Sequence, residues 1–195
     1  MLKRNGSLRH LLEYIVASRS EMLNIVKLPE EEEEFPQMAP PASSEGIARA
    51  EAHLKTLFPP SYKMFLGVAN GVLNFDTNLD LFSVEDFLGT DYSELCQEIH
   101  KIGKMISEPI LLNGLIVGGR VGSRRIFLID QTAKPGGDGE LPVVFWSDIP
   151  LIEAPNFTQC LVRWCDVCDE VLATAQEQAK LAPPGQIIVR GPPKG

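Results

Sequence analysis

Three rhythms of apolar and polar positions succeed one another along the chain. In the first, Leu8, Leu11, Leu12, Ile15, Val16, Met22, Leu23 and Val26 recur at helical spacing. They predict one amphipathic helix over 7 to 28, capped by Ser7, bent near Ser18 to Ser20 and ended by Leu28-Pro29. A second helix is expected from Ser43 or Ser44, with Ile47, Ala50, Leu54 and Leu57 on one face and Glu45 at the positive end of the dipole. Pro59-Pro60 breaks it and opens a third, in which Tyr62, Phe65, Leu66 and Ala69 fall at i, i+3, i+4 and i+7. Asn70-Gly71 supplies the stop.

Beyond Gly71 the period shortens to that of strands. Val72 to Phe75 and Leu79 to Ser83 read as short strands about an Asp76-Thr77-Asn78 turn. Ser83 is placed to cap a short helix over Val84 to Leu88, and Asp91 to Lys104 is helical through Leu95, Ile99 and Ile102. Ile110 to Leu112, Leu115 to Val121 and Arg125 to Asp130 are expected as successive strands, broken at Asn113-Gly114 and Gly122-Ser123. After the Pro135 to Gly139 loop comes a strand over Leu141 to Trp146. The third rhythm is again helical: residues 156 to 181 carry Phe157, Cys160, Leu161, Trp164, Cys168, Val171, Leu172 and Ala175 as one stripe. Strands that follow one another without intervening helices pair antiparallel, so the fold class is α+β. An antiparallel sheet of four to six strands is expected, packed with helices from the N-terminal part and a long C-terminal helix. The predicted parts are the first helix (1–29), an acidic proline-containing linker (30–41), the main domain (42–181) and a Pro/Gly-rich tail (182–195), in which Ile187 to Val189 could form one edge strand.

Charge changes this picture. The net charge is −8, with Glu30 to Glu34 as one block. Such a balance has the wrong sign for direct nucleic-acid binding. No apolar run approaches the ~18 residues of a membrane span. Nor does the basic start Met1 to Arg4 lead into an apolar signal segment, so the protein is read as cytoplasmic. Four cysteines are too few for a disulfide framework, and Cys165-x-x-Cys168 lacks the second pair that a zinc site needs. They are expected to pack as small hydrophobes.

The ordered motifs carry a resemblance. Ile47 and Glu51 lie in a capped helix; Pro59, Tyr62, Phe65 and Leu66 in the next; Asn70-Gly71 closes it; and Leu79-Asp80-Leu81-Phe82, Pro142-Val143 and Phe157-x-x-x-Leu161 follow in sequence. Over residues 42 to 178 this order resembles the SUKH superfamily, which includes the yeast cell-wall-assembly regulator and many bacterial immunity proteins. The resemblance implies an α+β domain that acts by binding other proteins. Departures are the long N-terminal helix with its acidic linker, Gly46 in place of a polar helix former, and an insertion at 90 to 109.

Little in the chain suggests chemistry. No serine or cysteine has a base at an interpretable spacing, and Gly118 to Gly122 has no phosphate-loop order. No catalytic, cofactor-binding or metal-binding residue is predicted, and no cofactor. Arg120, Arg124 and Arg125 form a small basic cluster, read either as an anion site or as the solvated ends of a hairpin. The stronger feature is the span from Met64 to His100, which has no Lys or Arg but seven carboxylates: Asp76, Asp80, Glu85, Asp86, Asp91, Glu94 and Glu98. A surface of one sign speeds association with a partner of the other. Phe75 and Phe87 are assigned to the core and Tyr92 to the interface. The expectation is an immunity protein that neutralises a cognate basic toxin domain, such as a nucleic-acid-cleaving one, by direct binding through this region. The alternative is a non-enzymatic regulatory or scaffold module of the same fold, its first helix and acidic linker recruiting other cellular proteins.

Overall fold

A computed structural model describes residues 7–26 and 35–181. The elements are α1 (Leu8–Ile25), β1 (Gln37–Met38), α2 (Ser44–Leu54), α3 (Pro60–Leu66), β2 (Val72–Asp76), β3 (Leu79–Leu81), a 3-10 turn (Asp86–Leu88), α4 (Thr90–Ile106), α5 (Pro109–Asn113), β4 (Leu115–Gly119), β5 (Arg125–Ile129), β6 (Val143–Ser147), β7 (Ile149–Ala154) and α6 (Phe157–Leu181). The seven strands form one antiparallel sheet whose spatial order is the sequence order. This is the α+β meander expected from the uninterrupted strand run, with more strands than foreseen.

Helices cover both faces of the central strands. Trp164 of α6 stacks within 5.2 Å of Phe75, 5.2 Å of Phe127 and 4.8 Å of Phe145, so α6 crosses one face over β2, β5 and β6. Ile126, beside Phe127, points the other way. There it meets Leu95 of α4: a Cβ on Gly119 would lie 2.9 Å from Ile126 and 3.1 Å from Leu95. Every residue of β4 is buried in consequence. Tyr62 sits at the meeting point of α3, α6 and the 3-10 turn, with ring centroids 5.2 Å from Phe58, 5.0 Å from Phe157 and 6.3 Å from Phe87.

The first helix is continuous, and Ser18, where a bend was expected, is buried within it. It packs along α6 in a parallel sense: Tyr14 donates to Asp169, and Gln176 donates to Glu21 at 3.1 Å, a constant offset of 155 residues. Leu8, Leu12 and Ile15 join the main core, while Met22, Leu23 and Val26 form a second cluster with Val171, Leu172 and Ala175.

Five local expectations are corrected. Ile110 to Leu112 lies in the helix α5, not in a strand, because Pro109 occupies the first helical position and Asn113 Nδ2 donates back to Pro109 O at 3.0 Å. Gly103 lets α4 approach it, since a Cβ there would come 2.8 Å from that of Leu111. Within the linker, Gln37–Met38 pairs with β2. Residues 149–154 add the edge strand β7 despite Pro150, which an edge position tolerates. Leu57 is not on the buried face of α2 but 75% exposed in the turn beyond it. Finally, α3 ends at Leu66, five residues before Gly71. The predicted strand at Ile187 to Val189 and the Glu30 to Glu34 block lie outside the described residues.

Candidate functional site

The seven carboxylates of the cation-free stretch divide into two sets. Asp76 ends β2 and is turned inward, where Arg19 Nη1 of α1 lies 3.3 Å from Oδ1 and Arg125 Nη2 of β5 bonds Oδ2. Arg125 also donates to Thr77 O at 3.0 Å. Asp80 on β3 is gripped by Arg120 through both Nε and Nη2 at 2.7 Å and accepts the Asn74 amide at 2.6 Å. A fork of this kind holds a carboxylate in one orientation. These two acids are balanced inside the fold by cations from far along the chain. The same contacts correct the reading of Arg120, Arg124 and Arg125 as an anion site: each already faces a carboxylate, Arg124 that of Asp148 at 2.8 Å.

The other set faces solvent. Glu85, Asp86, Asp91 and Glu94 are exposed and Glu98 is half-buried. Ser83 and Asp86 hold one another: Ser83 N and Oγ donate to Asp86 Oδ2 at 2.7 and 2.8 Å, and Asp86 N donates to Ser83 Oγ at 3.2 Å. This reciprocal box fixes the 3-10 turn. Asn70 accepts Val84 N at 2.8 Å and donates to Glu85 Oε2 at 2.7 Å. Asp91, Glu94 and Glu98 share one side of α4 by their i, i+3, i+7 spacing, and Glu98 accepts Gly122 N at 2.9 Å. The face is therefore built from the loop after β3, the 3-10 turn and the first turns of α4, held by local hydrogen bonds.

Phe75 and Phe87 are buried, as assigned. Tyr92 is turned inward as well: its ring stacks 5.2 Å from Phe87 and 5.9 Å from Phe82, and burial raises its hydroxyl pKa far above the usual tyrosine value, with Cys96 adding to the effect. The large apolar side chain left among the exposed carboxylates is Leu88, 37% exposed. Sequence reasoning missed it, because an apolar residue next to Phe87 reads as core.

A cleft of about 290 Å³ adjoins this face, lined by Ser43, Glu45, Arg49, Asn70, Val84 and Glu85 among others. Its available signals were Glu45, read only as a dipole partner, and Asn70, read only as a helix stop. A second, smaller cavity of about 80 Å³ lies under α1 between Arg19, Asp76, Trp164 and Cys168.

Burial pushes the thiols of Cys160 and Cys168 up to about 12 and that of Cys96 above its usual value. Such groups stay protonated and are poor nucleophiles. Among the described residues, no group of three or more His, Cys, Asp or Glu is placed to hold a metal ion, and no helix is long and apolar enough to cross a membrane.

A sequential antiparallel meander between two helical layers, with an exposed acidic turn and an adjoining polar cleft, defines an α+β protein. Residues 41–163 match the sequence model of the SMI1 / KNR4 family (SUKH-1), and the chain belongs to that family. No curated protein matches the chain. The geometry gives its motif residues architectural roles. Glu51 accepts Phe58 N at 2.7 Å and pairs with Lys63 at 2.8 Å, tying α2 to α3. Tyr62 and Phe65 fill the core, Asn70 holds the loop before the 3-10 turn, and Gly71, at φ +88°, passes so near β3 that a Cβ would lie 2.8 Å from Leu81 O. Both α1 and the part of α6 after residue 163 lie outside the matched span.

Proposed function

We propose that the chain is a non-enzymatic immunity protein that binds a cognate basic toxin domain through the face carrying Glu85, Asp86, Asp91 and Glu94. The family is one of immunity and regulatory proteins, which sets the class. The observation that carries the choice of face is the division among the carboxylates: those four side chains are exposed, in a stretch without a single Lys or Arg and with Glu85 only loosely paired to Arg49 of α2 at 4.0 Å, whereas Asp76 and Asp80 are matched internally. Leu88, part-exposed in the same 3-10 turn as Asp86, adds an apolar contact to this acidic surface. Glu98 contributes at the margin, and Tyr92 supports the face from behind. Asp76 and Asp80 shape it without touching the partner.

The test is co-expression with the product of the neighbouring gene, followed by growth rescue and co-purification. The double reversal Asp91→Lys, Glu94→Lys, which spares the Ser83–Asp86 box, is expected to lower affinity at least about tenfold, chiefly through the association rate. The circular-dichroism spectrum should stay unchanged. An unchanged affinity would remove this face from the contact. A regulatory or scaffold module of the same fold is the second reading, favoured by the mixed charge of the Glu45, Arg49, Glu85 cleft, which suits a neutral peptide as well as a basic one. That reading predicts a complex with a cellular protein and no growth rescue. Its recruiting-arm version finds less support, because the apolar stripe of α1 is already buried against α6.

A further inference from the structure

Two regular stripes meet where α1 runs along α6. On α1 and its C-cap, Leu8, Leu12, Ile15, Arg19, Met22 and Val26 follow at steps of four and three; on α6, Phe157, Leu161, Trp164, Cys168, Val171 and Ala175 do the same. All six residues of the α1 stripe are buried, Arg19 included at 7% exposure. Stripes of this period repeat every seven residues, or about 10 Å along a helix. Their apolar matching therefore recurs after a slip of one heptad. If α1 slid one heptad toward the start of α6, Val26 would take the place of Arg19, and Arg19 that of Leu12. Van der Waals fit alone separates these two arrangements weakly, since medium-sized apolar side chains replace one another with modest loss.

Arg19 separates them strongly. It is the one charged member of its stripe. Its Nη1 lies 3.3 Å from Asp76 Oδ1, its Nη2 donates to Thr77 Oγ1 at 3.0 Å, and Nη1 also approaches Met22 Sδ at 3.9 Å. Asp76 is itself held from the sheet by Arg125, so the address that Arg19 reads belongs to β2 and β5 and does not move with α1. In the slipped register the guanidinium would enter the fully buried site of Leu12, away from Asp76 and Thr77. An ion so placed is costly, whereas replacing a buried ion pair by apolar side chains is often neutral. A single buried polar residue in a heptad stripe is a known means of choosing one register among several.

We infer that Arg19 is the register key of the α1–α6 pair: a positioning residue that fixes where α1 docks more than how tightly. The role is separate from the proposed partner face and stands whatever that face binds.

The test uses the full chain with Cys168→Ala, which removes the half-buried native thiol of this seam. Glu21→Cys is paired either with Gln176→Cys, its neighbour in the structure, or with Asp169→Cys, its neighbour after a one-heptad slip. With Arg19 present, the 21–176 disulfide is expected to form at least about ten times faster than 21–169. Arg19→Met should reduce that ratio at least about fivefold while the variant keeps a cooperative urea transition, because Arg125 still balances Asp76, and Arg19→Lys should restore the preference. A ratio that Arg19→Met leaves in place overturns the inference. So does loss of both cross-links or of the fold in that variant, since Arg19 would then be needed for docking itself.

Discussion

Gly71 shows how much a single residue can hold and how little of that is local. Asn70-Gly71 is legible as a stop, but the helix has already ended at Leu66, and what requires glycine is its passage against the backbone of residues 81–83. Gly71→Ala combines a left-handed φ with two backbone contacts at 2.8 Å and is expected to cost about 1–3 kcal/mol, read as a lowered urea midpoint. The buried thiols make a second prediction at this scale. Cys160 and Cys168 have folded-state values raised to about 12 by burial, against an ordinary 9.0. The unfolded chain therefore ionises first, and the stability these groups confer is complete below about pH 9 and lost as the pH rises toward 12. Each thiol contributes a slope of up to about 1.4 kcal/mol per pH unit in that window. Urea midpoints at pH 8, 9 and 10 should fall in order, and less steeply in Cys168→Ala.

Elements were legible in the sequence wherever one period ran long. The final helix, whose stripe spans residues 157 to 175, could be drawn nearly to its ends, and so could α4. Short apolar runs could not, because three residues such as Ile110 to Leu112 satisfy both periods and only Pro109 distinguishes them. The seven-residue helix α3 depends on a partner no local pattern shows: Glu140, 79 residues on, accepts Ser61 N at 2.7 Å and Ser61 Oγ at 2.6 Å. Ser61 Oγ in turn accepts Phe157 N at 3.1 Å, so one hydroxyl joins the starts of α3 and α6 to the loop before β6. Ser61→Ala leaves a buried amide and a carboxylate short of a partner, at an expected cost of about 1–3 kcal/mol. Hydrogen exchange at the Phe157 amide should quicken by more than the global loss of stability explains.

Across the whole molecule, the sequence showed a run of acids of one sign but not which of them fold against cations. The partners Arg19, Arg120 and Arg125 lie 40 to 57 residues away in sequence and meet Asp76 and Asp80 only through the sheet. The candidate face is thus narrower than the stretch that announced it. If it is the contact, its association rate with a basic partner should fall steeply as salt rises from about 50 to 500 mM, since screening contracts to a few ångströms over that range. Dissociation should change far less. The sheet itself carries a consequence in time. Because its spatial order is that of synthesis, each strand can join its neighbour as it emerges, but the side facing α6 stays open until Phe157 and Trp164 arrive, roughly 85 residues after Val72. At ~5–20 residues per second this is on the order of 4 to 17 s, during which Phe75, and in its turn Phe127, is exposed on a nascent surface that chaperones can reach.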